Sequence, residues 1–256
     1  MRIRLGLWVC AFLLNPVTTT TRAAPVPAMG LGDAAFLRRA EPGAAAQALG
    51  FYREAFQSEP SAQTAWRLAA ACYFEGYRGA NVRDEDKARL FAEGRDAGEQ
   101  GVARDPACAP CHFWTAINMA LYGDTVGALK MLTSLGSIER HLQAVIRIDP
   151  GYASGGAYRI LGMIAHRLPG ILGGSDARAR EDFEKAIAIA PADPLNYWTL
   201  WKFWLDRGDQ AAALRAAAAV ATLPVPAASQ VESREAYTEV RSALAASASL
   251  PTGLPR

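Results

Sequence analysis

The stretch from Pro150 to Pro191, PGYASGGAYRILGMIAHRLPGILGGSDARAREDFEKAIAIAP, restricts what this chain can become more than any other. Its first half places Ala157, Ile160, Leu161, Ile164 and Leu168 at three- and four-residue spacing, which makes one buried stripe on a helix. Its second half does the same with Ala179, Phe183, Ala186, Ile187 and Ala190, and the Gly/Pro segment LPGILGGS joins the two. The result is a helical hairpin. Gly155, Gly156 and Gly162 on the first helix and Ala179 and Ala186 on the second are small where the helices approach, and Ser175 stands where the second helix needs an N-cap. One hairpin cannot bury both of its faces, so it must be one of several stacked units.

Four other places echo it, against a repeat pattern of W-x2-L-G-x2-Y on a first helix and A-x3-F-x2-A-x4-P on a second. Ala48, Tyr52, Ala55 and Pro60 fit the second-helix pattern, as do Ala179, Phe183, Ala186 and Pro191, and Ala212, Ala216, Ala219 and Pro224. Before Pro106 the equivalent positions are Gly94, Gly98 and Gly101, and before Pro150 they are Ile138, Leu142 and Val145. First helices begin near Trp66, Trp114, Tyr158 and Tyr197. The closing prolines Pro60, Pro106, Pro150, Pro191 and Pro224 lie 46, 44, 41 and 33 residues apart, so the middle repeats are stretched. The surplus falls in YRGANVRDED, in a long helix from Asp124 to Ile148, and in LPGILGGS. Such connections read equally as binding loops or as tolerated insertions. The expected fold is all-α, a right-handed stack of about five tetratricopeptide-like hairpins (an α-solenoid) over residues 29–248, with a last helix after Pro224 capping the open end and a frayed tail at 249–256.

Residues 1–28 carry Arg2 and Arg4, an apolar run from Leu5 to Leu14, Pro16 and a small-residue end at Ala28, the pattern of a secretory signal peptide. No other stretch reaches the roughly twenty apolar residues of a membrane span. Cys10 lies inside the apolar run and not at a lipid-attachment position, so no membrane anchor is expected. The mature chain is expected in the periplasm or secreted. Without Arg2, Arg4 and Arg22 its 27 basic residues become 24 against 25 acidic ones, a net charge of −1, and no basic block remains for nucleic acid.

The sharpest chemical motif is Cys108-Ala109-Pro110-Cys111-His112. C-x-x-C-H can attach a c-type haem through two thioethers with His112 as axial ligand, and the same cysteines can close a disulfide or stay as thiols. The disulfide is the leading expectation. No second pair of ligands stands at the usual spacing for zinc, so no metal is expected. His112, His141 and His166 fall in separate helices without a nucleophile nearby, and no H-E-x-x-H, G-x-S-x-G or phosphate-binding loop is present. The chain is not expected to be an enzyme. Asp105-Pro106, Asp149-Pro150 and Asp193-Pro194 punctuate the repeats.

First helices carry Phe113, Trp114, Tyr122, Tyr158, Tyr197, Trp198, Trp201 and Trp204. Most aromatics at helical spacing are packing, and the rest line the concave side of a stack. The residues expected to contact a ligand or partner in that groove are Trp114, Asn118, Tyr158, Arg159, Tyr197 and Trp201.

GGAYRILG, LPGILGGS and ARAREDFEKAIAIAP, with HFWTAINMALYG one repeat earlier, resemble the T-component proteins of tripartite ATP-independent periplasmic (TRAP) transporters, over roughly Ser61 to Pro224. The resemblance implies a periplasmic helical-repeat accessory that associates with the transporter's solute-binding protein and offers a groove for a small organic ligand. It also suggests homo-oligomers. The alternative is a protein–protein scaffold that binds an extended peptide or helix. An enclosed apolar cavity would favour the ligand, and an open polar trough the scaffold.

Overall fold

In the computed structural model, residues 27–79 and 82–248 are described; the expected leader and the expected frayed tail lie outside them, apart from Pro27 and Ala28. Eleven α-helices and one 3-10 turn make up the regular structure of the described residues, with no strand. The helices are α1 (Ala28–Leu37), α2 (Ala44–Ser58), α3 (Ala62–Arg78), α4 (Asp84–Arg104), α5 (Ala109–Val126), α6 (Ala128–Ile148), α7 (Gly156–Arg167), α8 (Asp176–Ile189), α9 (Pro194–Asp206), α10 (Gln210–Ala221) and α11 (Val231–Ala248). Odd and even helices pair as hairpins from α1–α2 to α9–α10, and each hairpin leans on the next. This is the α-solenoid of tetratricopeptide-like units that the spacing predicts.

Local chemistry sets the boundaries. Ser61 and Thr64 form a reciprocal capping box at the start of α3, and Ser175 caps α8 by accepting from the Arg178 amide at 3.3 Å. All three Asp-Pro steps make the same turn: Asp105, Asp149 and Asp193 each accept from the backbone N–H two residues on, at 3.0 Å. The stretched repeats owe their length to helix more than to loop. α4 and α6 have 21 residues each, and Gly127 at φ 133° is the whole connection between α5 and α6. The helix expected from Asp124 therefore begins at Ala128, because α5 continues to Val126. LPGILGGS does form a connection, containing the 3-10 turn Gly170–Leu172.

The core runs along the stack as successive side-chain groups. Leu49, Tyr52, Leu68 and Ala97 fill the first two hairpins, Phe113, Ile138, Leu142, Val145 and Leu161 the middle, and Trp201, Ala213, Val220 and Val240 the last. α1 has no counterpart among the first helices read from the sequence. Its residues AMGLGDAAFL lack a one-sided apolar stripe, yet Ala35 and Phe36 complete the first hairpin against α2. α11 covers the open end by packing on α9 and α10, as the sequence suggests, but it does not stop there.

Candidate functional site

The first turns of α11 reach back across the stack. Glu232 pairs with Arg39, just after α1, at 3.3 Å, and Glu235 pairs with Arg78, at the end of α3. A helix that touches both the last hairpin and the first two has to lie across the inner side of a curved stack. Further along, Glu239 accepts from Trp198 Nε1 at 2.7 Å and from Lys202, both on α9. α11 thus bridges the concave face along a ladder of Glu232, Glu235 and Glu239.

Under its first turns the odd helices present a run of rings. Phe36 meets Phe74 edge-on at 5.0 Å, Tyr73 stacks on Tyr77 at 5.6 Å, and Tyr73 contacts Trp114 at 5.3 Å. Burial, reinforced by the Glu232 charge, raises the Tyr73 phenol well above its ordinary range. Tyr77 leaves 61% of its surface exposed at the wall. Phe36, Tyr73, Phe74, Tyr77, Arg39 and Arg78 were not expected on this face. The signal was present in CYFEGYR, where Tyr73, Tyr77 and Arg78 follow the first-helix stripe, but the charged partners sit more than 150 residues away in sequence.

The six residues expected in the groove divide into those engaged in the fold and those at the trough. Asn118 is fully buried: its amide donates to Ala69 O at 2.9 Å and Trp114 O at 2.8 Å, tying α5 to α3. Arg159 is also buried. It donates to Asn196 Oδ1 at 2.6 Å and to Ala153 O at 3.3 Å, and Asn196 donates to Ser154 O at 3.0 Å. Together they hold a turn in which Ala153, Ser154 and Gly155 all adopt positive φ. Trp201 is buried and Tyr197 half-buried in the packing of α9 against α10 and α11. Tyr158, half-buried, lies within 5.6 Å of the Lys185 ammonium on α8. Trp114 is half-buried, donates to the Tyr152 hydroxyl at 3.0 Å, and meets Tyr73 on the trough floor. Of the six, Trp114 is the one that the geometry joins to the ring ladder.

Cys108 and Cys111 are joined as a disulfide at the start of α5, with Cys111 against Gly101 of α4 and its Sγ 3.5 Å from Ala62 O of α3. His112 beside it meets His141 of α6, Nδ1 to Nδ1 at 2.8 Å, and places Nε2 3.2 Å from Pro106 O. With both sulfurs bonded to each other and both ring nitrogens engaged, haem attachment would require another redox state and another partner for His112. Cys72 is a buried thiol whose pKa burial pushes up. Among the described residues no group of three or more His, Cys, Asp or Glu could hold a metal, and no helix is long and apolar enough to cross a membrane.

Two shallow cavities open along the stack, the first sharing Phe36 with the ring run. One of about 190 Å³ lies between α1, α2 and α3, around Asp33, Phe36, Tyr52, Trp66 and Arg67. The other, about 270 Å³, lies on α4, α5 and α6 around Arg95, Tyr122 and Lys130. Neither is lined by any of the six expected groove residues.

The family model described as regulator of microtubule dynamics protein 1-3 matches residues 35–166, and the model described as TRAP transporter T-component matches residues 105–231. No curated protein matches the chain. Among solved structures, a thermophilic tetratricopeptide-repeat protein of Thermus thermophilus is similar at a TM-score of 0.61 and 18% identity, over 87% of this chain and 98% of that one. Two structures of MamA are similar at 16% identity, with TM-scores of 0.47 and 0.46, over 84% and 90% of this chain and 97% and 96% of theirs. Likeness at such identities concerns the fold alone.

Proposed function

Because the chain belongs to the family of regulator of microtubule dynamics protein 1-3, whose model takes in just over half of it, and is a T-component-like protein of tetratricopeptide type, we propose that its concave face receives a helical segment of a partner protein. The observation that carries this reading is that the trough already accommodates a helix, α11, through an ionic ladder over aromatic rings. That is the geometry of helix-in-groove recognition. Both family descriptions name a regulator or a component and not a reaction, which supports an accessory without catalysis. The first candidate partner is the solute-binding protein of a TRAP-type transporter, in the periplasm, in keeping with the T-component match and the leader read from the sequence.

A small organic ligand is the second reading. The two cavities fall below the roughly 300 Å³ at which drug-sized ligand sites begin, and both are open, so this reading ranks behind the helix. Native mass spectrometry of the full chain with a co-expressed TRAP solute-binding protein separates the two. A 1:1 complex weakened by about ten-fold or more in Tyr77→Ala, a wall residue whose loss leaves the core intact, is the expected outcome. A retained organic molecule without a protein partner, or a complex indifferent to Tyr77, contradicts it.

A further inference from the structure

Arg39 and Arg78 hold the N-terminal end of α11, and neither does so completely. The Arg39 guanidinium lies 4.8 and 4.7 Å from the centroids of Phe36 and Phe74 and reaches Glu232 through one terminal nitrogen. Arg78 meets Glu235 through both terminal nitrogens. The Nε of each is buried without a hydrogen-bond partner, and Asn118 Oδ1 is the other such atom among the described residues. Buried donors are normally satisfied, because burial removes the water that would otherwise pair with them. A carboxylate that took Nε and a terminal nitrogen together, in the bidentate fork that guanidinium geometry favours, would satisfy both arginines as α11 does not.

The seating of α11 is slight at the end that faces the first hairpins. Its buried side chains are Val231, Ser233, Ala236 and Val240, all small, its larger Tyr237 and Leu244 pack half-buried against the α9–α10 core, and residues 222–230, which link it to α10, form neither helix nor strand and include Pro224 and Pro226. Glu235 keeps 59% of its side chain exposed and Glu239 keeps 46%, a setting in which ion pairs hold weakly and salt screens them. Elements with few buried apolar contacts open before the rest of a structure does.

We propose that α11 is a removable occupant of the concave trough, displaced when a partner's amphipathic helix with carboxylates one turn apart takes the Arg39–Arg78 pair. The inference rests on the concave-face reading above and adds to it the chemistry of the partner and a gate. Glu232 and Glu235, three residues apart, are the internal counterpart of the partner's acids. While α11 is seated, a partner's apparent affinity falls by the fraction of molecules in which it is open.

The test titrates a fluorescein-labelled synthetic peptide of residues 229–246 into the full chain and into its Glu232→Lys/Glu235→Lys variant, with hydrogen exchange recorded on both proteins. In the variant, α11 amides exchange about ten-fold faster or more while α2 to α10 keep their protection, and the peptide binds at least about ten-fold more tightly than to the unaltered chain. A peptide with Gln at positions 232, 235 and 239 loses that binding, and this control does not depend on how the protein variant folds. Unchanged exchange in α11 overturns the proposal. Equal affinity for the two proteins overturns the gate and leaves the concave-face reading standing. An opened α11 with no peptide binding overturns both.

Discussion

His112 and His141 show how much one residue pair can depend on its surroundings. The Pro106 carbonyl can only accept, so His112 carries its proton on Nε2, its Nδ1 is bare, and His141 donates from Nδ1 across the 2.8 Å contact. Burial lowers both imidazoles; for His141 the neighbouring His112 and Arg140 add to it and take it to about 4. An unfolded imidazole near 6.5 takes up protons first as pH falls, so the pair's contribution to stability is present above pH 6.5 and is lost on the way to pH 4. Solvent reaches part of the ring, which reduces the loss to about 1–2 kcal/mol. His141→Gln keeps a donor toward His112 without titrating. Thermal melts should then flatten between pH 6.5 and 4.5 relative to the native chain, and an unchanged slope would show that the pair is not the cause. Nothing in the sequence joins these two residues, because 29 positions and a helix break separate them. Asn118 and Arg159 carry the same lesson. A polar residue on an apolar helix points either at a ligand or at a backbone group, and only the position of the Ala69 and Ala153 carbonyls decides which.

At the scale of elements, α4 and α5 show why the loosest repeat match is still a packed one. Gly94, Gly98 and Gly101 occupy the positions where other repeats carry Ala, an aromatic residue or a branched aliphatic one, and Asn118, Thr115 and Cys111 of α5 lie over them in turn. A Cβ on Gly98 would stand 2.1 Å from Thr115 Oγ1 and 3.2 Å from its Cα, and that hydroxyl is already committed to Cys111 O at 2.7 Å. Overpacking of this kind costs about 1–3 kcal/mol, against a gain of about 1 kcal/mol in helix propensity. Gly50 of α2 has nothing within 4 Å of the same added atom. Chemical denaturation should therefore find Gly98→Ala destabilised by about 1–2 kcal/mol and Gly50→Ala stabilised by about 0.5–1 kcal/mol. The same sign for both would mean that the α4–α5 approach is not tight. The caps were legible from sequence, Ser175 most directly, because a cap acts within one turn of its own residue. α1 was not, because its residues take their place only once α2 is there to receive them.

Over the whole molecule, hairpins that touch only their neighbours should fail one at a time. Leu49→Ala opens a cavity among Ala35, Tyr52 and Leu68, a change of about 2–5 kcal/mol, and hydrogen exchange should register it in α1 to α3 while α9 and α10 keep their protection. The exception is α11, whose amides should lose protection with the first hairpin, because Arg39 connects them to it. Loss of protection in α9 and α10 as well would make the stack one cooperative unit. By itself the sequence determined the amphipathic helices from α2 onward, their Asp-Pro punctuation and the closeness of Cys108 to Cys111, since each of these is settled within one or two turns of chain. Tertiary structure alone decided which aromatic rings face the trough, that His112 meets His141, and that the last helix crosses back to Arg39 and Arg78. Those outcomes depend on the rotation accumulated from one hairpin to the next, a sum over every interface in the stack that no local stretch encodes.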